Sequence, residues 1–299
     1  MIKIDKSKAS LIEDEYFERI SVIERYTGGC LMKKYFNKHL RQVVLGNNLN
    51  LIITDFGKIF GKEIEQYESY QGKDKKKNTS FGKFQIYMEN QYKSFFQREH
   101  NGEKNGIWLS KQLKVNTCPY CNRHYTFTIE DMNSGENFRP QFDHFYPKSD
   151  YPYLALSLYN LIPCCADCNQ KKETKIIDYY PYDDEFGDKC KFKIDYADFI
   201  LSGSVKGKFC KKNRNISVFK LEGLYNGHSD YIEEIIEKAH AYNADYFKGL
   251  FDSFLSIGKS SSEINRLIFG NYIDVSEHKK RPLSKLTKDI LDQIGLKDY

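Results

Sequence analysis

The sequence lacks any long apolar run. No segment approaches the roughly 20 consecutive apolar residues that a membrane-spanning helix needs, so we expect no such helix. The first ten residues, MIKIDKSKAS, contain no apolar stretch of the kind found in secretory signals, and we therefore expect a cytoplasmic protein. Internal repeats and low-complexity segments are also missing, which excludes repeat architectures.

The chain also lacks a strong net charge. Its 46 Lys and Arg residues exceed its 41 Asp and Glu residues by only five, so the overall charge says little about partners. Basic residues are concentrated in three runs, Lys73–Lys77, Lys206–Arg214 and His278–Pro282. Each run can bind nucleic acid, but a solvated loop is the simpler interpretation.

Cysteine, by contrast, is present and clustered: four of the eight cysteines form two CxxC pairs, Cys118–Cys121 and Cys165–Cys168. In a reducing compartment such pairs favour metal binding over disulfides, and two of them complete a tetrahedral zinc site. The gap between the pairs exceeds the roughly 15–20 residues of a simple zinc ribbon, so we expect a hairpin and a loop between them. Cys164 competes with Cys165 through a CxxxC spacing, and we interpret it as a buried free thiol. A redox function of the first pair is disfavoured because no thioredoxin-like βαβ pattern surrounds it.

Hydrophobic periodicity predicts an α+β protein, mostly helical, around a small ββα unit that carries the four-cysteine knuckle. We divide the chain into a helical region at 1–114, a core at 115–178 and a mostly helical extension at 179–299. Helices are predicted at 10–45 with an interruption at 27–30, and at 81–98, 229–255 and 283–295; strands are predicted at 124–130, 138–145 and 215–221. The first two strands are expected to form a hairpin around a turn at 131–137, and residues 159–172 to become a helix with Pro163 near its first turn.

Asp143 and His144 lie at the end of a predicted strand, and Asn169 follows the last knuckle cysteine on the predicted helix. These three side chains can converge on one point. Carboxylate and amide oxygens suit Mg²⁺, and a histidine can act as general base on a water molecule. An Asp-His pair alone is a weak signal, but one between two CxxC pairs and followed by Cys-Asn is specific.

The motifs CPYC, FDHFYPKS and NLIPCCADCNQKK resemble the HNH endonuclease superfamily over about a fifth of the chain. The resemblance implies a ββα-metal fold, with Asp143 as a ligand of Mg²⁺ or Mn²⁺ beside the catalytic base His144. It makes Asn160 the central asparagine that ties the loop and orients the base. Asn169 replaces the final histidine of the family pattern, which makes this an HNN variant and keeps an oxygen ligand on the metal.

The longer string around these motifs resembles bacterial HNH proteins of anti-phage defence. Several of those relatives work beside an ATPase or a reverse transcriptase, so the resemblance implies such a partner, and a second copy of the chain is an alternative. Lys148 and Lys172 are candidates for phosphate binding, although solvated lysines are equally common at such positions.

We therefore expect a metal-dependent endonuclease that hydrolyses phosphodiester bonds in DNA. A binding module that holds nucleic acid or protein without cutting is one alternative, and an HNH nuclease acting on RNA is another. The joint presence of Asp143, His144, Asn160 and Asn169 favours an enzyme, since a binding module needs none of them.

Overall fold

The computed structural model describes residues 1–21, 31–130, 137–241 and 244–295. Most of these residues are helical: α1 Lys6–Ser10, α2 Glu13–Ser21, α3 Leu31–Lys38, α4 Leu40–Leu45, α5 Leu49–Glu68, α6 Lys75–Asn78, α7 Ser80–Gln97, α8 Asn105–Leu113, α9 Ala166–Lys172, α10 Tyr196–Ser202, α11 Arg214–Phe219, α12 Leu221–Asn226, α13 Ser229–Ala241, α14 Ala244–Ser256, α15 Ser261–Phe269 and α16 Ser284–Ile294.

Short strands form antiparallel pairs between these helices: β1 Glu99–His100 with β2 Glu103–Lys104, β3 Ile129–Glu130 with β4 Asn137–Phe138, β5 Gln141–His144 with β6 Leu161–Cys164, and β7 Phe192–Ile194 with β8 Gly207–Phe209. This arrangement confirms the predicted fold class, α+β and mostly helical around a small ββα unit. Among the described residues, no helix is both long enough and apolar enough to cross a membrane.

The ββα unit consists of β5, β6 and α9. In the register of the two strands, Phe142 lies opposite Pro163 and Asp143 lies opposite Ile162. The predicted hairpin between 124–130 and 138–145 is present only where β3 pairs with β4. The part of the second predicted strand that carries Asp143 and His144 is β5, and it pairs with β6 instead. Pro163 lies in strand β6 rather than in a first helical turn. All four residues of β6 are buried, and a short, fully buried apolar run cannot be told from a helix by its periodicity.

One other sequence-based assignment was wrong. Residues 215–219 lie in helix α11 and Leu221 starts α12, so 215–221 is not a strand, because the side chain of Asn213 caps the amide of Ile216 and so starts α11. The described residues of the predicted helix at 229–255 are helical, in α13 and α14, and residues 242–243 lie outside the described residues. The predicted interruption at 27–30 and residues 131–136 of the predicted turn at 131–137 also lie outside them.

A continuous buried cluster joins all three predicted regions. It includes Tyr16 and Phe84 from the first region, Leu161 from the second, and Phe192 and Leu291 from the third. The flanking regions therefore pack directly on the ββα unit, and the three-part division of the chain stays a prediction.

The C-terminal region packs against the first CxxC pair. The side-chain amide of Asn122 donates to the carbonyl of His278 at 3.1 Å and accepts from the amide of Lys285 at 3.0 Å. The hydroxyl of Tyr225 donates to the carbonyl of Cys121 at 3.1 Å. These buried contacts fix the knuckle loop on a helical support.

Candidate catalytic pocket and zinc knuckle

The four knuckle cysteines meet at one point. The sulfur atoms of Cys118, Cys121, Cys165 and Cys168 all lie within 4.8 Å of one another, and the Cys121 and Cys165 sulfurs are 3.9 Å apart. A Zn–S bond of about 2.3 Å in a tetrahedron requires sulfur atoms about 3.8 Å apart. The cluster therefore fits a four-coordinate zinc ion and matches the pair of motifs chosen from the sequence.

Local backbone structure produces this cluster. The bridge between Thr117 and Tyr125 closes a tight loop around the first pair, and the Cys118 amide donates to the His124 carbonyl at 2.9 Å. Asn122 has a φ of 52°, the left-handed conformation that such a turn requires. Cys165 is the N-cap residue of α9, so the helix starts at the metal-binding cluster. Cys164 is fully buried in β6 and lies outside the four-cysteine cluster.

An open pocket of about 450 Å³ lies between β5, α7 and α9, and it is lined by Asp143, His144, Lys148 and Asn169 among others. The structure thus brings together the predicted base, the two predicted oxygen donors and one predicted phosphate-binding lysine. The two cysteine pairs lie at the ends of segment 118–168, which carries Asp143, His144 and Lys148, and Asn169 directly follows this segment.

Asp143 is buried, and its carboxylate accepts hydrogen bonds from two side chains. The Tyr120 hydroxyl donates to Oδ2 at 2.6 Å, and Lys172 Nζ lies 3.4 Å from Oδ1 and 3.3 Å from Oδ2. Burial raises the pKa of Asp143 to about 6, against the opposing effects of the Lys172 charge and the Tyr120 hydrogen bond. The carboxylate is thus held in one orientation at the pocket.

The expectation that Lys172 contacts phosphate has to be corrected. Its side chain is fully buried, and Nζ also donates to the carbonyl of His144 at 2.6 Å. A lysine so enclosed cannot reach a substrate phosphate. Lys172 instead compensates the buried charge of Asp143 and ties α9 to the end of β5.

His144 is held by a backbone carbonyl. Its Nε2 lies 3.0 Å from the carbonyl oxygen of Ala155, and since a carbonyl only accepts, the ring must carry its proton on Nε2. The lone pair of the neutral ring is then on Nδ1, as a general base requires. Burial, together with the nearby charge of Lys148, lowers the pKa of His144 to about 3. The ring of Tyr92, from α7, lies 4.7 Å from the imidazole.

Asn160 fastens the loop between β5 and β6. Its amide nitrogen donates to the carbonyls of Tyr146 at 3.0 Å and Leu154 at 3.1 Å, and its amide oxygen accepts from the Tyr146 N–H at 2.8 Å. Leu154 precedes Ala155, the residue that holds the imidazole of His144. The side chain therefore supports the base through the loop.

Asn169 and Lys148 also line the pocket. The Asn169 amide nitrogen donates to Oε1 of Gln141 at 2.7 Å, which orients the amide oxygen of Asn169. Lys148 is partly buried, and its Nζ lies 4.5 Å from the centre of the Tyr92 ring, a cation–π contact.

Comparison with known proteins identifies the central part of the chain. Residues 118–175 match the HNH endonuclease family. We refer to this segment as the HNH core; it contains both cysteine pairs and every pocket residue predicted from the sequence.

The chain is also similar to the Septu protein PtuB of Bacillus thuringiensis, with 30% identity over 127 residues. The match covers 40% of this chain and 45% of the relative, so it spans about half of the length of that protein. No solved structure matches the chain significantly.

Sequence reasoning missed several residues that shape the pocket of the HNH core. Gln141 was within reach, because it lies two residues before Asp143 and so on the same side of strand β5. Tyr120 was visible only as a spacer of the first CxxC pair. Tyr92 lies about fifty residues upstream on α7, and no local pattern points to it.

Proposed function

We propose that this protein is a metal-dependent endonuclease that hydrolyses phosphodiester bonds in DNA and acts in a bacterial anti-phage defence system. One observation carries the proposal: a neutral, oriented histidine and two oxygen donors meet in an open pocket beside a lysine. The match of residues 118–175 to the HNH endonuclease family supports the same reaction class.

The donor set fits a hard divalent cation. A carboxylate offers about four lone-pair sites, and Tyr120 and Lys172 leave part of them available at Asp143. The amide oxygen of Asn169 adds a neutral donor that lines the same pocket. Oxygen ligands of this kind, with water filling the remaining positions, are typical of Mg²⁺ and Mn²⁺ sites.

The residues of the chain divide the reaction between them. His144 accepts a proton at Nδ1 from the water that attacks the phosphorus, while the Ala155 carbonyl keeps the other ring nitrogen protonated. Lys148 attracts the phosphate to the pocket. Asp143 and Asn169 would hold a divalent cation, which would supply neutralisation of the phosphate and stabilisation of the leaving oxygen.

The zinc knuckle has a structural function in this proposal. Four thiolates leave no open coordination position, which is typical of structural rather than catalytic zinc. Zinc at Cys118, Cys121, Cys165 and Cys168 joins the loop that carries Tyr120 to the helix that carries Asn169.

We also propose that the protein works with a partner protein of its defence system. The support is the similarity to a Septu protein and the size of the two regions that surround the HNH core. Co-expression with the protein encoded beside it, followed by co-purification and size-exclusion chromatography, tests this. A chain that remains monomeric and cleaves equally fast with or without that neighbour contradicts it.

The main experiment incubates the purified protein with supercoiled plasmid, linear DNA or RNA, each with Mg²⁺, Mn²⁺ or EDTA. We expect cleavage of DNA with either cation and none with EDTA or with the His144→Ala variant. Cleavage of RNA alone favours the RNA nuclease alternative. Binding without cleavage under every condition favours the binding-module alternative.

A further inference from the structure

A patch of exposed rings lies beside the candidate catalytic pocket. Tyr125, Phe127 and Phe138 are 49%, 46% and 65% exposed, and we call these three residues the aromatic shelf. They lie on the segment around the β3–β4 pair, directly after the first CxxC pair. Large apolar side chains grouped at the surface usually mark a binding site.

The shelf has the geometry of a stacking surface. The Tyr125 and Phe127 rings are 4.4 Å apart with an interplanar angle of 20°, so they are stacked on each other. Residues two apart in an extended segment share one side, and Ile129, which is 55% exposed, continues that side. Phe138 lies opposite Ile129 in the strand register, which extends the surface onto β4.

The shelf is continuous with the pocket. A second groove of about 620 Å³ is lined by the shelf residues and also by Arg139 and Gln141. Both Arg139 and Gln141 line the candidate catalytic pocket as well, and Gln141 accepts the hydrogen bond of Asn169. A polymer whose phosphate lies beside His144 therefore passes Arg139 on its way to the shelf.

The charge of this groove suits a polyanion. Arg139 lies between the two sites, with its guanidinium carbon 5.6 Å from the Phe96 ring and 5.9 Å from the Phe142 ring. Within the described part of the chain, the lining of the groove contains no carboxylate. His124 also lines the groove, and its Nε2 lies 3.4 Å from Oδ2 of Asp167, which is outside the lining. Proteins usually hold single-stranded nucleic acid by stacking its bases on aromatic rings, while neighbouring basic groups contact its phosphate backbone.

We propose that the aromatic shelf stacks unpaired bases of the strand that is cut, so that the preferred substrate is single-stranded or locally unpaired nucleic acid. This inference rests on the proposed nuclease function and adds the class of substrate. In a duplex the faces of the bases are covered by neighbouring bases, whereas in a single strand they are free to stack on Tyr125 and Phe127.

Binding without added Mg²⁺ or Mn²⁺ tests the inference. The probes are a fluorescein-labelled, mixed-sequence DNA strand and the same strand annealed to its complement, and the readout is fluorescence anisotropy. The Tyr125→Leu/Phe127→Leu variant keeps apolar side chains but removes both rings. We expect it to bind the single strand roughly tenfold or more weakly, and the duplex within about twofold of the parental protein.

Two matched variants serve as controls. Phe127→Trp keeps an aromatic ring at this position and is expected to bind the single strand at least as tightly as the parental protein. Tyr246→Leu removes a ring that is 55% exposed on α14, and its binding should equal that of the parental protein. Zinc content is measured for every variant, so that damage to the neighbouring knuckle is recognised.

Unchanged binding of the single strand by the double variant overturns the inference and assigns the shelf to a protein partner or a second copy. Equal losses for both probes also overturn it, because they show no preference for unpaired bases. Cleavage of the labelled single strand with Mg²⁺ separates the two proposals. If the parental protein and the double variant cut equally, only the shelf inference fails; if neither cuts although the parental protein alone binds the single strand tightly, the proposed nuclease function fails.

Discussion

The Tyr120 hydroxyl donates a 2.6 Å hydrogen bond to Oδ2 of Asp143, and this contact joins the zinc knuckle to the candidate catalytic pocket. Tyr120 lies between the first two knuckle cysteines and is fully buried. The conformation of the knuckle loop therefore determines where the carboxylate of Asp143 lies, although the two sites have different chemistry.

Tyr120→Phe should weaken the affinity of the proposed nuclease for Mg²⁺ while leaving the fold intact. Hydrogen bonds to charged groups typically contribute about 1.5–3 kcal/mol, so we expect the Mg²⁺ concentration for half-maximal cleavage to rise roughly tenfold or more. The rate at saturating Mg²⁺ should stay near the parental rate. Tyr125→Phe, which removes an exposed hydroxyl from the same knuckle, is the control. An unchanged Mg²⁺ dependence of Tyr120→Phe would contradict the positioning role.

His144→Ala should abolish cleavage while zinc content and DNA binding persist. General-base catalysis contributes on the order of 10²–10⁴-fold, so the loss is measurable in a plasmid assay. His240→Ala, which changes an exposed histidine on α13 away from the pocket and the aromatic shelf, is the control and should cut at the parental rate. If His144→Ala cuts as fast as the parental protein, the assignment of the base is wrong.

Asn160→Ala should reduce the rate constant for cleavage more than it changes the Mg²⁺ dependence. The side chain fastens Tyr146 and Leu154, and through the adjacent Ala155 it fixes the imidazole of His144. Single-turnover rates measured over a range of Mg²⁺ concentrations distinguish this from a loss of metal affinity. Asn169→Ala is the comparison, because it should raise the Mg²⁺ requirement and be partly rescued by Mn²⁺. Identical profiles for the two variants would contradict the division of roles.

Cys165→Ser should lose the zinc and much of the folded protein, whereas Cys164→Ser should retain both. Zinc binding and folding are coupled in such knuckles, because the free energy of binding is released only in the folded arrangement. Elemental analysis should find about one zinc per chain in the parental protein and in Cys164→Ser. Retention of zinc by Cys165→Ser and its loss from Cys164→Ser would reverse the choice between the two adjacent cysteines.

Lys172→Met should lower the free energy of unfolding by about 3 kcal/mol, because it leaves the buried carboxylate of Asp143 without its cation. Lys171→Met changes the exposed neighbour on the same helix and should have an effect below about 0.5 kcal/mol. Urea denaturation of the zinc-loaded proteins at neutral pH measures both. Equal stabilities of the two variants would show that Lys172 does not compensate the charge of Asp143.

Short local segments were enough to predict the parts of the site that lie within them. A CxxC pair places two sulfurs on one side of a bend, whatever surrounds it. Asp143 and His144 are adjacent at the end of one predicted strand, so their proximity was predictable from that strand alone. Asn169 is next to a knuckle cysteine, so its position follows once the cluster forms. The fold class was predictable for a related reason, since amphipathic periodicity in α7 and α16 is a property of each segment alone.

The contacts between distant segments were not predictable from local sequence and are seen only in the folded protein. The pairing of β5 with β6, the Tyr92 ring beside His144 and the support of the knuckle by Asn122 join residues that are far apart in sequence. The burial of Lys172 beside Asp143 was not predictable either. The local sequence around a lysine does not show whether its side chain faces solvent or a buried carboxylate. Local spacing sets which side chains share a turn or a face, but burial depends on packing between elements, which no single segment encodes.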